Sequence, residues 1–239
     1  MNATIEKQKA YMTDAEKIVR QLSGVELPNV FNPYRDVCSI HDTRTSPARR
    51  RQNLVSQLEA ALVGNVDTIW FGRDLGYRGG RRTGVALTDE AHLPLLASRC
   101  SSDLIVRATK GPVVAERTAN VIWQMLSELT TLPFLWNAFP FHPHEPGDPM
   151  SNRCHSKKEL AAIWSLNLRL LEILQPTRVL AIGNDAFAAL SQLGLRCEYV
   201  RHPSYGGQTD FLRGIRRIYN LPEPHRASSN QHQKELELA

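Results

Sequence analysis

The chain alternates between short apolar runs that stop at a glycine, asparagine or histidine and longer stretches of helical spacing. That alternation is what most constrains its fold. Val66 to Phe71 feeds a glycine-rich stretch, residues 133–138 end in Asn137-Ala138, residues 178–183 (Arg-Val-Leu-Ala-Ile-Gly) form the cleanest run, and residues 196–200 precede His202-Pro203-Ser204. Such short apolar runs bounded by turn formers are the mark of buried strands. Helices are expected over 13–23, with Thr13 as N-cap, Glu16 completing a capping box and Gly24 as the stop, and over 48–63 and 115–130. Ser156 and Glu159 open another helix as a capping box, Asn184 caps a further one, and 208–219 closes the series. Strands alternating with helices predict an α/β fold: a three-layer α/β/α domain around a mostly parallel four-stranded sheet.

A chain of 239 residues is long enough for one substantial core. Residues 1–220 are expected to form a single domain, with an N-terminal helix and an irregular, turn-rich segment from Asn29 to Pro47. Residues 221–239 are expected to be a flexible tail. No apolar run reaches the roughly 18–20 residues that a bilayer demands, and Met1 to Lys7 lacks the apolar core of a signal peptide. An intracellular, cytoplasmic protein without a membrane partner is therefore expected. Cys38, Cys100, Cys154 and Cys197 are widely separated and form no C-x-x-C pair, which reads as scattered reduced core thiols, not as a disulfide framework or a structural zinc site. The net charge is +5, and Arg outnumbers Lys 22 to 7. A guanidinium fork suits phosphate, so the balance is compatible with a nucleic-acid partner without requiring one.

In a parallel sheet the site lies outside the carboxyl ends of the strands. Four segments meet that rule. Gly72-Arg-Asp-Leu-Gly-Tyr-Arg-Gly-Gly-Arg-Arg-Thr-Gly84 places Asp74 just past a strand end among glycines that allow close backbone approach. It is neither a Walker A loop nor a dinucleotide fingerprint, and Asp74 capping a basic surface turn is its plain alternative. Asn137 closes an apolar strand, where a side-chain amide must find partners or a ligand. Its carbonyl and amide can accept from the ring N–H of uracil and donate to the adjacent carbonyl, whereas cytosine presents the reverse order. His202-Pro203-Ser204-Tyr205-Gly206-Gly207 follows the last strand, and the turn at Gly183 follows the third. His142, His144, Asp148 and His155 offer metal-ligand chemistry without a familiar ligand spacing, and no metal or other cofactor is expected.

Taken in order, these segments resemble the uracil-DNA glycosylase superfamily. One branch opens with G-Q-D-P-Y, then a glycine eight residues after the tyrosine and L-A-F-S. Here Gly72-Arg73-Asp74-Leu75-Gly76 is followed at the same offset by Gly84-Val85-Ala86-Leu87-Thr88. The thymine-specific and single-strand-selective branches use G-M-N-P-G, whose last glycine Gly76 matches. Asn137 resembles the superfamily's base-reading Asn, and His202-Pro203-Ser204 its H-P-S. Gly147 to Glu159 and Val179 to Gly183 resemble the helix start and strand of the thermophile-type branch, and Asn137-Ala-Phe-Pro-Phe-His-Pro-His144 resembles a bacterial subgroup. The resemblance spans about residues 60–215, and the missing cysteine cluster sets the chain apart from the iron–sulfur branches.

The resemblance implies a monomeric, metal-free DNA repair enzyme that flips uracil from single- or double-stranded DNA and hydrolyses its glycosidic bond. Asp74 would orient the attacking water and stabilise the cationic sugar, and His202 would stabilise charge at the uracil carbonyl at ring position 2. Gly72, Arg73, Gly76, Leu87 and Asn137 would hold the base. Arg78, Arg81, Arg82, Asn152, Arg153 and Ser204 would bind DNA, and Tyr205, Gly206 and Gly207 would fill or flank the vacated space. No lysine falls in a matched motif, so the product would be an intact abasic site. Three departures bear on substrate: Arg73 replaces Gln, Glu or Met, Gly76 replaces the tyrosine that blocks the thymine methyl, and Leu87 replaces a stacking Phe, leaving Phe71 or Tyr77 to stack. Three alternatives stay open: a glycosylase for deaminated purines or 5-substituted bases, a non-catalytic DNA-binding module, and a hydrolase using a metal on His142, His144 and Asp148.

Overall fold

The computed structural model describes residues 12–222, so the readings of the extreme N-terminus and of residues 223–239 lie outside the described residues. The elements run α1 (Asp14–Ser23), β1 (Val30–Phe31), α2 (Ser46–Val63), β2 (Thr68–Asp74), α3 (Gly80–Thr83), α4 (Leu93–Arg99), α5 (Arg117–Leu126), β3 (Phe134–Phe139), β4 (His142–Pro143), α6 (Lys157–Leu174), β5 (Arg178–Ile182), α7 (Asn184–Gln192), β6 (Glu198–Val200) and α8 (Gln208–Tyr219). Four strands form an all-parallel sheet in the order β3-β2-β5-β6. The two capping boxes form as the sequence predicts, Thr13 with Glu16 and Ser156 with Glu159.

Both faces of the sheet are covered, which is why its strands read as continuous apolar runs. Ile69 and Phe71 of β2 point to one face with Phe134 and Trp136, against α1, α2, α6 and α7. Trp70, Leu135, Leu180, Ile182 and Val200 point to the other, against α4, α5 and α8. Buried indoles are satisfied as burial demands: Trp70 Nε1 donates to the Tyr219 hydroxyl at 2.9 Å and Trp136 Nε1 to Asn167 Oδ1 at 2.8 Å. No helix among the described residues is long and apolar enough to cross a membrane.

Four local expectations are corrected. β2 runs through Asp74 instead of ending at Phe71. Gly183, at φ +91°, is the N-cap of α7, and Asn184 is its first residue, because a Cβ there would lie 3.0 Å from His202 Cβ and its φ favours glycine. The irregular segment after Asn29 contains β1, which pairs antiparallel with β4 inside the Pro/His-rich loop, Val30 opposite Pro143 and Phe31 opposite His142. Two-residue strands carry no periodicity, so no sequence pattern betrays them. Leu221 and Pro222, read as the start of the tail, are tied back to α8 through Leu221 N to Arg216 O at 2.8 Å and Arg216 Nη1 to Pro222 O at 2.7 Å.

Candidate active site

The carboxyl ends of the parallel strands open on a cavity of about 610 Å³. Gly72, Arg73, Asp74, Gly76, Leu87 and Asn137 line it, as do Asn152, Arg153, His202, Ser204 and Tyr205. The parallel register explains how they meet: Gly72 of β2 lies opposite Asn137 of β3. A Cβ on Gly72 would fall 2.3 Å from Asn137 Oδ1 and 3.0 Å from Leu87 Cδ2, so only glycine lets the amide and the leucine close over the strand. Asn137 is buried, and its Oδ1 has no hydrogen-bond partner. A buried carbonyl left unpaired is costly unless a ligand completes it. Leu87 adopts φ +55°, an uncommon conformation for a leucine.

Asp74 is nearly buried and accepts from Arg73 Nε at 2.8 Å. Arg73 also donates through Nη1 to Asp185 Oδ2 at 2.9 Å, so one guanidinium joins the end of β2 to the start of α7. The two carboxylates hold the Arg73 guanidinium charged against the opposing effect of its burial. His202 is oriented from the other side of the cavity. Ser204 N donates to His202 Nδ1 at 3.2 Å, and Ser204 Oγ lies 2.7 Å from the same nitrogen. Nδ1 is thus an acceptor, and the neutral ring carries its proton on Nε2. Burial, with the Arg73 and Arg201 cations nearby, lowers the pKa of His202 below that of an ordinary imidazole.

The basic loop is reassigned in part. Arg78 is exposed, but Arg81 and Arg82 are buried. Arg81 lies over the Phe31 ring at 4.1 Å and donates to the Pro149 carbonyl, while Arg82 pairs with Glu90 at 3.2 Å and donates to Thr109 Oγ1 at 3.0 Å. Both serve the interior, because desolvated guanidinium groups must be paired, and neither is free to clamp a phosphate. Arg153 is also spent internally, on Glu159 at 2.6 Å and on the His144 and Asn29 carbonyls. Asn152 Oδ1 accepts from Tyr77 N at 3.0 Å and holds the basic loop against the Pro/His-rich loop. Phe71 is fully buried on the opposite face of the sheet and cannot stack on a base, and Tyr77 does not line the cavity. Tyr205 stands 98% exposed at the rim on a φ +50° turn completed by Gly206 at φ +78°. Gly207 packs beneath it, where a Cβ would lie 2.1 Å from His202 O.

Several cavity residues escaped the sequence reading. Glu116 places Oε1 where a Cβ on Gly76 would come within 3.3 Å, and Oε2 within 2.2 Å of one on Gly79. Burial, then the charge of Asp89, raises its pKa above that of an ordinary carboxyl. Its signal was faint, a lone acid at a helix start far from any matched segment. Arg201 and Asp185 were overlooked beside His202 and Gly183. Cys154 is exposed and lines the cavity instead of joining the core. His142 is a structural residue: its Nε2 meets Ser151 O at 2.8 Å, and burial with Arg81 nearby pushes its pKa down to about 4. His155 faces Asp74, and is grouped with Asp74 and Cys154, not with His142, His144 and Asp148.

The fold has a counterpart of known structure. The crystal structure of Pedobacter heparinus SMUG2 superposes with a TM-score of 0.58 at 14% identity, over 88% of this chain and 98% of that one. At that identity the likeness is one of fold. No family model matches the chain, and no curated protein matches it in sequence.

Proposed function

We propose that this protein is a monofunctional DNA glycosylase that removes uracil from DNA and leaves an abasic site. The observation that carries the reading is Asn137 Oδ1, buried without a partner and locked over Gly72 in the cavity that Asp74 and His202 also line. That oxygen would accept from uracil N3–H while the Asn137 amide donates to the carbonyl beside it, a pairing cytosine inverts. The fold likeness to SMUG2 supports a glycosylase-type role.

The reaction needs two charges stabilised at once. As the bond from C1′ to N1 breaks, its electron pair leaves with the base and the sugar becomes oxocarbenium-like. A neutral His202 donating from Nε2 to the carbonyl at ring position 2 would stabilise the uracil anion, and its lowered pKa keeps it neutral for that task. The Asp74 carboxylate would stabilise the sugar cation, orient water onto C1′ and accept the proton that water releases. Arg73 would hold Asp74 in place. Tyr205 would enter the stack as the nucleotide leaves it, and the exposed Arg78 and Arg201 would meet phosphates. The protein is expected to act as a monomer and inside the cell.

A second reading, a wider base range, is favoured by Gly76 and Glu116. No tyrosine fills this side of the cavity, and a carboxyl with a raised pKa faces the open space. Such a group can donate or accept at a base edge that Asn137 does not reach.

The test is cleavage of labelled oligonucleotides containing uracil, hypoxanthine or 5-substituted uracil, in EDTA, with alkali added afterwards. Uracil strand breaks that appear only after alkali, and fall by about 10²-fold or more in Asp74→Ala and His202→Ala, are expected. Loss of hypoxanthine cleavage alone in Glu116→Gln would support the wider range. No product from uracil in either strand form would refute the assignment.

A further inference from the structure

Next to Asp74 lie two further donors that glycosidic chemistry does not use. Cys154 and His155 end the Pro/His-rich loop and face the end of β2. The Asp74 carboxylate, the Cys154 thiol and a His155 ring nitrogen lie within 4.8 Å of one another. His155 Nδ1 is 3.5 Å from Asp74 Oδ2, its side chain is only 6% exposed, and this nitrogen makes no hydrogen bond. The ring is held in that pose by stacking on Phe139, with centroids 5.2 Å apart. A buried, oriented and unpartnered nitrogen between a carboxylate and a thiol lacks only a shared partner.

The donor types decide which partner fits. Calcium and magnesium take oxygen ligands, whereas one sulfur, one imidazole nitrogen and one carboxylate oxygen suit zinc and similar borderline-soft dications. Separations of this size close to a tetrahedral set through small side-chain movements, and the exposed Cys154 gives an entry path. Three protein ligands would leave a fourth position for water. Arg73 opposes the ion, since it is a cation already bonded to Asp74.

We propose that Asp74, Cys154 and His155 form an inhibitory zinc site. Binding releases the thiol proton to solvent, places sulfur, nitrogen and carboxylate oxygen on the ion, and withdraws Asp74 from water and sugar. The inhibitory part rests on the role proposed above for Asp74, while ion binding does not.

The site is tested with cobalt as a spectroscopic stand-in, titrated into the full chain, Cys154→Ser and His155→Gln. One equivalent is expected to bind the wild type with a sulfur-to-cobalt charge-transfer band that zinc abolishes. That band should be absent in Cys154→Ser and need at least tenfold more cobalt in His155→Gln. No band in the wild type, or an unchanged titration in His155→Gln, would overturn the site. In parallel, zinc at saturating concentration should slow uracil release by the wild type at least tenfold, reversibly with EDTA. Cys154→Ser, compared with its own metal-free rate, should be insensitive. Zinc that binds without slowing uracil release would overturn the inhibitory role. If no protein releases uracil, the functional reading fails while the cobalt titration still decides the site.

Discussion

Gly72 and Asn137 face each other across adjacent parallel strands, and the missing side chain of one makes room for the amide of the other. Gly72→Ala should therefore act through Asn137. The new Cβ meets Oδ1 at 2.3 Å, and the amide proposed to read the base must rotate away. Uracil release should fall roughly 10²-fold, the scale of a misplacement of about 1 Å. A variant that releases uracil at the wild-type rate would show that Asn137 does not need its observed pose. His202 makes a pH prediction. Its pKa is lowered by burial and two cations, so the ring protonates at lower pH than an ordinary imidazole. The acid decline of single-turnover uracil release should therefore lie below the ordinary imidazole value, and move toward neutrality in Arg201→Gln. An acid limb centred on the ordinary imidazole value in the wild type would contradict the lowered pKa. Asp74, Asn137 and His202 were legible in the sequence because each sits where an apolar run stops. Glu116 and Cys154 were not, because only the folded loops bring them to the same cavity.

The elements behind the site can be tested apart from its chemistry. Ser156 and Glu159 cap α6 reciprocally, and Glu159 also anchors Arg153, so one short segment fixes both the helix start and the Pro/His-rich loop. Ser156→Ala should cost about 1 kcal/mol of stability. Urea unfolding would register this as a lower midpoint with an unchanged slope; an unchanged midpoint would mean that the cap is redundant with Arg153. The parallel strands and the long helices were readable because apolar spacing and capping boxes are local signals. β1, α3, α4 and β4 were not, because these elements of two to seven residues carry too little periodicity to stand out. The same limit explains Arg81 and Arg82. In sequence they belong to a basic glycine-rich loop, but α3 turns both inward to Phe31 and Glu90.

At the scale of the molecule, a buried ion pair joins the N-terminal segment to α2. Arg50 and Asp42 are both essentially inaccessible, Arg50 Nη1 lies 2.9 Å from Asp42 Oδ2, and Arg50 packs directly beneath Gly84. Asp42→Ala leaves a buried guanidinium unpaired and should cost about 3–5 kcal/mol. Chemical denaturation that shows no loss would mean that water reaches Arg50 in the variant. His142 adds a pH dependence to the whole fold. Its pKa is about 4 in the folded chain and roughly 6.5 in an unfolded one, so the unfolded state binds more protons between those values. Stability should fall as pH drops through that window, and His142→Gln should flatten the fall. The central claim concerns the bond that breaks, and mass spectrometry of a uracil-containing strand incubated with the protein in EDTA tests it most directly. The account predicts an intact strand that has lost uracil and gained a hydroxyl at C1′, formed by the wild type and nearly absent with Asp74→Ala and His202→Ala. An unchanged strand, a broken one, or a strand covalently joined to the protein would contradict it.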